Sequence, residues 1–382
     1  MRVVVFGGGY AGLVAVTRLE RRLPNDAELV FVDPRPTHLV KHELHRVVRR
    51  PAVGEAISVP FDAILDRARI REERIVDLDP DEGRAIFEGD DVLSYDAGVV
   101  AIGARPAYYG LPGVEANSTP LDSVAHAKAI GEQMNGLIDR DEGTVIVGGA
   151  GLAGVQVAGE LAEMANGTAV SVLLLEQADR VAPQVSPRFS RAIDERLQAV
   201  GVQVETSQTV ERATADTIEL ASGQELPFDR FVWTGGIAGR HALGGERPQV
   251  RADLRLGDRT FAAGDAVRVV DQDGELAAAT AQAAVGMAPI AADNAKRRAV
   301  DGGGGFGPSY RRYRDDSSGL VVTVGDETVA QVGPSILSGP PAKALKSLVG
   351  TRYLSTAGAI EEGVSVARTE FGLAEPDGPT ED

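Results

Sequence analysis

Two glycine-rich turns, each set between an apolar run and a helical pattern, constrain this chain more than any other feature. The first stands in RVVVFGGGYAGLVAVTRLE from Arg2, and the second in TVIVGGAGLAGVQVAGELAE from Thr144. In the first, Val3 to Phe6 read as a buried parallel strand, Gly7 to Gly12 as a tight turn and Leu13 to Leu23 as a helix. ELVFVDP then supplies a second strand, ending at Asp33 before Pro34 stops it. Asp33 lies about 20 positions beyond Gly12, the offset of an acid that holds a ribose in a dinucleotide fold. A bare GxGxxG is common in glycine-rich chains, whereas strand, turn, helix, strand and terminal acid in that order are specific.

The second turn meets the same requirements. TVIVGG is the strand, Gly149, Gly151 and Gly154 space the turn, VQVAGELAEMA is the helix, and AVSVLLLEQADR carries a strand to Glu176. In both, small residues let backbone N–H groups approach a pyrophosphate at a helix N-terminus, where the macrodipole favours the anion. Glu176 is placed to accept from both hydroxyls of an adenosine ribose and to repel a 2′-phosphate. Arg180, four residues on, either accommodates such a phosphate or is a solvated surface residue. One fingerprint implies one nucleotide; two imply that a hydride or electrons pass between two.

At 382 residues the chain is long enough for two substantial domains and a small third. Its 45 glycines and 43% hydrophobic residues fit a folded α/β protein. With 56 acidic against 39 basic residues the net charge is −17, which disfavours nucleic acid as a partner. Lysine is scarce, and an acidic, lysine-poor composition resembles that of a halophile-like proteome. There is no cysteine, so disulfides, thiolate metal sites and a redox-active Cys pair are excluded, and any redox chemistry falls to a cofactor. No secretory signal and no apolar stretch of spanning length is visible. The expected location is the cytoplasm, with a peripheral contact at the cytoplasmic face of the membrane left open.

Between the fingerprints, RAIFEGDDVLSYDAGVVAIGARP reads as short strands about an EGDD turn, followed by a buried strand ending in Gly103. LPFDRFVWTGG closes in the same way at Gly235 and Gly236. DRTFAAGDAVRV then places Gly264 and Asp265 after a further strand, and AAATAQAAVGMAPIAADNAKRR is a helical run. The fold class expected is α/β, with two Rossmann-like dinucleotide-binding domains, the second inserted in the first, and a small α+β carboxy-terminal region. The expected boundaries are 1–110 and 256–305 for the first domain, 111–255 for the insertion and 306–382 for the remainder. DGGGGFGPS from Asp301 reads as a linker, GLVVTVGDETVAQVG as two strands about a tight turn, PPAKALKSLVGTRYLSTAG as a short amphipathic helix, and LAEPDGPTED as a disordered tail.

On these residues the chain resembles the two-dinucleotide-domain flavoprotein reductases, and most closely the type II NADH dehydrogenases, over roughly residues 1–300. The resemblance implies that Gly7, Gly9, Gly12 and Asp33 bind FAD and that Gly149, Gly151, Gly154 and Glu176 bind NADH. It also implies that Gly264 and Asp265 form the second FAD motif, the acid bonding to the ribityl chain. The helix beginning near Thr280 then points its N-terminus at the flavin ring, and Ala281 and Gln282 match an Ala-Gln motif beside a quinone pocket. Gly103, Gly235 and Gly236 end strands beneath a cofactor. Two departures weaken the quinone implication more than the flavin one. Gly286 stands where the family often has a second glutamine, and Gln156 where it commonly has a glutamate near the nicotinamide. Sulfide:quinone reductases and disulfide reductases share the framework but use cysteines.

The resemblance therefore implies an FAD-dependent NADH dehydrogenase that passes electrons to a quinone or other small acceptor. In such chemistry the protein positions nicotinamide and flavin and tunes the ring, so no side chain is indispensable. His38, His42 and His45 lie in PTHLVKHELHRVVRR, where His38 and His42, and Lys41 and His45, share faces if the segment is helical. No third ligand identifies a metal site. His42 is a candidate proton donor to a quinone, against the reading of these histidines as rim or surface residues. Two rival functions are a soluble reductase serving a ferredoxin-like acceptor and a flavin-binding structural or regulatory protein with negligible turnover. In the carboxy-terminal helix Ala344, Leu345, Leu348 and Val349 share a face, with Lys343, Lys346 and Arg352 placed to meet anionic lipid; core packing or a homodimer contact are the other uses of such a helix.

Overall fold

In the computed structural model, residues 1–302, 309–316 and 319–346 are described. Two five-stranded parallel sheets organise it. The first runs in the order Thr260–Ala262, Ala97–Val100, Arg2–Phe6, Glu28–Val32 and Arg69–Arg71. The second runs Thr119–Pro120, Arg230–Trp233, Gly143–Gly148, Val170–Leu175 and Gln203–Glu205. In each, the strand feeding the glycine turn is central, and the strand carrying the distal acid is its neighbour. Val3, Val4, Val5 and Phe6 are fully buried, as strands covered on both faces require.

The helices Tyr10–Arg22 and Leu152–Ala165 follow the two turns. The first packs against the long helix Ala281–Asp301, whose Ala284, Ala288, Ala291 and Ala295 permit close approach. Asp293 fastens the pair by accepting from Arg18 Nε at 2.7 Å and Nη2 at 2.8 Å, and Arg311 closes on the same carboxylate. Each parallel sheet is accompanied by a three-stranded antiparallel one: Ile75–Asp79, Arg84–Phe87 and Val92–Ser94 in the first case, Val210–Ala213, Thr217–Leu220 and Glu225–Pro227 in the second. Where the chain crosses between the halves, Arg105–Pro106 pairs antiparallel with Ile237–Ala238.

A third, antiparallel sheet comprises Gly319–Val324, Glu327–Val332 and Ser335–Ser338. Its first two strands are those expected about a tight turn, and the third adds a short one. Residues 340–346 are helical, while Leu348, Val349, Arg352, the tail and most of the glycine-rich linker lie outside the described residues. No helix among the described residues is long and apolar enough to cross a membrane.

The helical reading of residues 38–45 is corrected. Thr37–Leu39 is a strand paired with Ser58–Pro60, Lys41–Glu43 is a single 3-10 turn, and the helix begins only at His45. Pairing with a strand some twenty positions away overrides the i, i+4 spacing of the histidines, so His38 and His42 do not share a helix face. The strand before Gly103 likewise ends earlier, at Val100.

Candidate functional site

The six turn glycines fall into three matched pairs. Gly7 and Gly149 have φ of +99° and +97°, a region that side chains oppose. A Cβ on Gly149 would lie 2.7 Å from the Gly235 Cα, and one on Gly7 would overlap the Ala101 carbonyl. Gly12 and Gly154 sit one turn into their helices, where a Cβ would overlap the carbonyl oxygens of Gly7 and Gly149. Gly9 and Gly151 differ from both. They are the N-caps of their helices, carry no side-chain cap, and face open space, with nothing within 4 Å of the position a Cβ would take. Each turn therefore offers bare helix N–H groups beside a clear approach, which suits a pyrophosphate.

The two acids are equally matched. Asp33, buried, accepts the Gly8 N–H at 2.6 Å and is paired with Arg35 Nε at 3.1 Å. Glu176, buried, accepts the Ala150 N–H at 2.8 Å and the Ala178 N–H at 2.8 Å. Each carboxylate thus ties its own turn to the next strand. Arg180 does not reach back to the turn: its Nη2 donates to the Pro183 carbonyl at 3.2 Å.

Around the first turn the structure gathers Gly264, Asp265 and the start of the long helix. Gly264, at φ +68°, would bring a Cβ to 3.3 Å from both Ala11 Cβ and Ala284 Cβ, so its backbone is pinned between the two helices. Asp265 is half-buried, and its negative charge acts on Tyr10 and Lys41. Thr280 caps the long helix by accepting the Ala283 N–H at 3.1 Å, with Ala281 half-buried and Gln282 exposed in its first turn. Gly103, at φ +65°, also faces open space.

Around the second turn stand Gly235, Gly236 and Thr234, whose hydroxyl donates to the Gly149 carbonyl at 2.7 Å. Gln156 is half-buried in the first turns of the second helix. Tyr109, which the sequence reading passed over, lies on this face. It is 68% exposed at φ +53°, and its phenol donates to the Gly235 carbonyl at 3.2 Å. An exposed aromatic residue at a positive φ is a signal visible only in three dimensions.

A third group was also hidden from sequence. Tyr10 approaches His42 Nδ1 at 2.5 Å, His42 Nε2 lies 3.5 Å from Glu43 Oε1, and Glu43 is clasped by Arg46 at 3.0 Å and Lys346 at 3.0 Å. Burial pushes the Tyr10 phenol well above its ordinary range. Burial would also raise the Glu43 carboxyl, but Lys346, His42, His45 and Arg46 together hold it below the usual carboxylate range. His38 Nδ1 donates to the Gly8 carbonyl, 2.8 Å away, and burial lowers the ring to about 4; burial lowers His45 to about 3. Lys346, for which both a lipid contact and core packing were open, is 11% exposed and packed against Glu43.

The family described as pyridine nucleotide-disulphide oxidoreductase matches residues 1–288. The NADH dehydrogenase-like protein YutJ of Bacillus subtilis (strain 168) is 24% identical over 241 residues, spanning 62% of this chain and 65% of its own length. A type II NADH:quinone oxidoreductase of Haemophilus influenzae is 25% identical over 354 residues, spanning 76% of this chain and 79% of its own. The solved structure of NDH2 from Plasmodium falciparum in complex with NADH has the same fold, with a TM-score of 0.79 at 13% identity over 97% of this chain and 98% of that one. The family match takes in both glycine turns and the Gly264–Asp265 return, so the chain, although it has no cysteine, belongs to the pyridine nucleotide-disulphide oxidoreductase family.

Proposed function

We propose that the protein is an FAD-dependent oxidoreductase that takes a hydride from NADH and passes the electrons to a quinone, as a non-proton-pumping NADH dehydrogenase. The observation that carries this reading is the duplication. Two turns divide the same tasks among their glycines, each is tied to a buried carboxylate, and the two sheets share the order of four strands, differing in the fifth, an edge strand that comes last in the first sheet and first in the second. Two such sites on one chain suit a resident cofactor and a donor. The name of the Haemophilus influenzae relative, a quinone oxidoreductase, supports the acceptor.

In this reading residues 1–110 and 256–305 form the FAD domain, 111–255 the inserted NADH domain and 306–382 the carboxy-terminal region. Gly7, Gly9, Gly12, Asp33 and Gly103 hold FAD with Gly264, Asp265, Ala281 and Gln282. Gly149, Gly151, Gly154, Gln156, Glu176, Gly235 and Gly236 hold NADH. When bound, the flavin supplies hydride acceptance and electron delivery. The chain's own residues orient the two dinucleotides, and Gln282 and His42 serve the acceptor. Because a quinone is lipid-borne, the reading includes a peripheral contact at the cytoplasmic face of a membrane. NADH is the preferred donor, since Glu176 opposes a 2′-phosphate and Arg180 is turned to Pro183.

Heat-released cofactor is expected to be FAD at near one per chain, and NADH is expected to bleach the yellow protein faster than NADPH. A short-chain quinone should then restore the colour. Recovery of FMN, or of no flavin after reconstitution, overturns the cofactor assignment, and equal rates with NADPH overturn the donor assignment. Slow bleaching favours a binding protein, and fast bleaching without reoxidation by quinone favours a reductase with a ferredoxin-like acceptor.

A further inference from the structure

A line of polar side chains runs from the first glycine turn to the carboxy-terminal helical turn, and dinucleotide binding gives no account of it. Tyr10 is the first residue of the helix after Gly9, and its hydroxyl oxygen accepts the His42 backbone N–H at 3.0 Å while lying 2.5 Å from Nδ1. Glu43 Oε1 lies 3.5 Å from the other ring nitrogen, which favours a proton on Nε2 and leaves Nδ1 to accept from the phenol. Glu43 cannot swing away, because Arg46 Nη1 and Lys346 Nζ hold its two oxygens. Fastening the carboxy-terminal turn requires only Lys346 and Glu43. It gives no reason for an imidazole, 37% exposed, to stand between that carboxylate and a phenol on the glycine turn.

We propose that Tyr10 and His42 form a proton relay to the reduced acceptor, with Glu43 as the positioning residue that orients His42 and favours its cation. This rests on the quinone reading above. Reduction of a quinone to a quinol takes two electrons and two protons. The hydride from NADH carries both electrons and one proton, so one further proton is required. In the relay the Nδ1–H bond of cationic His42 breaks as the Tyr10 oxygen takes that proton, and the Tyr10 O–H bond breaks as its own proton passes to the quinone oxygen. His42 ends neutral, Tyr10 stays protonated, no electron moves in this step, and water recharges the imidazole. The arrangement of carboxylate, imidazole and hydroxyl follows the logic of an oriented general acid. The charged and titratable groups around the relay include Lys41, Glu43, His45 and Arg46 on its own segment, Tyr10 on the glycine-turn helix, His38 on the adjacent strand, Asp265, whose charge acts on Tyr10 and Lys41, and Lys346 on the carboxy-terminal turn.

The test compares FAD-loaded wild type, Tyr10→Phe, His42→Asn and Glu43→Gln with two acceptors, a short-chain quinone that takes protons and ferricyanide that takes electrons only. Tyr10→Phe and His42→Asn are each expected to lower the ratio of quinone to ferricyanide turnover by at least about tenfold. Glu43→Gln should move the alkaline limb of the quinone pH profile to lower pH, because loss of the carboxylate destabilises the imidazolium. Above the alkaline limb, spectra of 15N-histidine protein should show neutral His42 protonated on Nε2, with the Nδ1 signal altered in Tyr10→Phe. An unchanged ratio in either relay variant, or a neutral His42 that keeps its proton on Nδ1, overturns the relay while leaving the quinone reading intact. A wild-type protein that reduces ferricyanide but no quinone overturns both.

Discussion

Gly12 and Gly151 differ in what stands beyond the missing Cβ. At Gly12 and its counterpart Gly154 a methyl group would overlap a carbonyl oxygen of the same turn, so backbone must shift. At Gly9 and Gly151 it would meet nothing within 4 Å. Gly154→Ala is therefore expected to lower Tm sharply, whereas Gly151→Ala should keep Tm and flavin content and raise the KM for NADH by about tenfold or more, since the methyl occupies the approach to the helix N–H groups. Thermal melts and steady-state kinetics on the two variants decide it. Equal loss of Tm in both would mean that Gly151 serves packing. These glycines, with Asp33 and Glu176, were legible because fixed spacing places them. Tyr10, Glu43 and Tyr109 were not, since each acquires its role from a residue distant in sequence or from a backbone angle.

At the scale of elements, long buried strands and the helices after each turn could be read from periodicity, because burial on one or both faces leaves a repeat in the sequence. The stretch from Thr37 to Arg49 could not. It is divided among a strand, a 3-10 turn and a five-residue helix, none long enough to show a period. That short helix nevertheless joins three parts of the molecule. Arg49 at its end donates through Nε to Glu160 at 2.6 Å and through Nη2 to Asp326 at 2.6 Å. Glu160 lies on the second glycine-turn helix, and Asp326 on the turn of the carboxy-terminal hairpin. There Gly159 permits contact, as a Cβ would lie 2.5 Å from the Gly325 nitrogen. The Glu160 side chain is 3% exposed. Arg49→Met strands this carboxylate and should destabilise the fold by about 3 kcal/mol, while adding Glu160→Leu should recover a large part of the loss. Denaturant unfolding of the two single variants and the double variant measures the coupling. Simple additivity would show that the pair contributes little.

For the whole molecule, the buried histidines couple stability to pH. Burial lowers His38 to about 4 and His45 to about 3, while an unfolded chain titrates them near about 6.5. Above that value both states are neutral there and the two histidines are silent. As pH falls below it, the unfolded state takes up protons that the folded state refuses, so stability is lost. At pH 5 the loss is about 2 kcal/mol for each fully buried imidazole, and it grows until the folded pKa is reached. The net charge of −17 acts in the opposite sense, because acid relieves self-repulsion. Roughly 0.5 M salt screens that term while leaving buried groups largely unscreened, which separates the two. Among the described residues His45 Nε2 has no hydrogen-bond partner, so His45→Leu removes a titrating group without breaking a bond made there by that nitrogen. Urea unfolding at pH 7 and pH 5, in high salt and excess FAD, should show the wild type weaker at pH 5 and the His45→Leu difference smaller by about 2 kcal/mol. If the two pH differences are equal, His45 does not lose stability for the fold by staying neutral, and burial is not what governs its protonation.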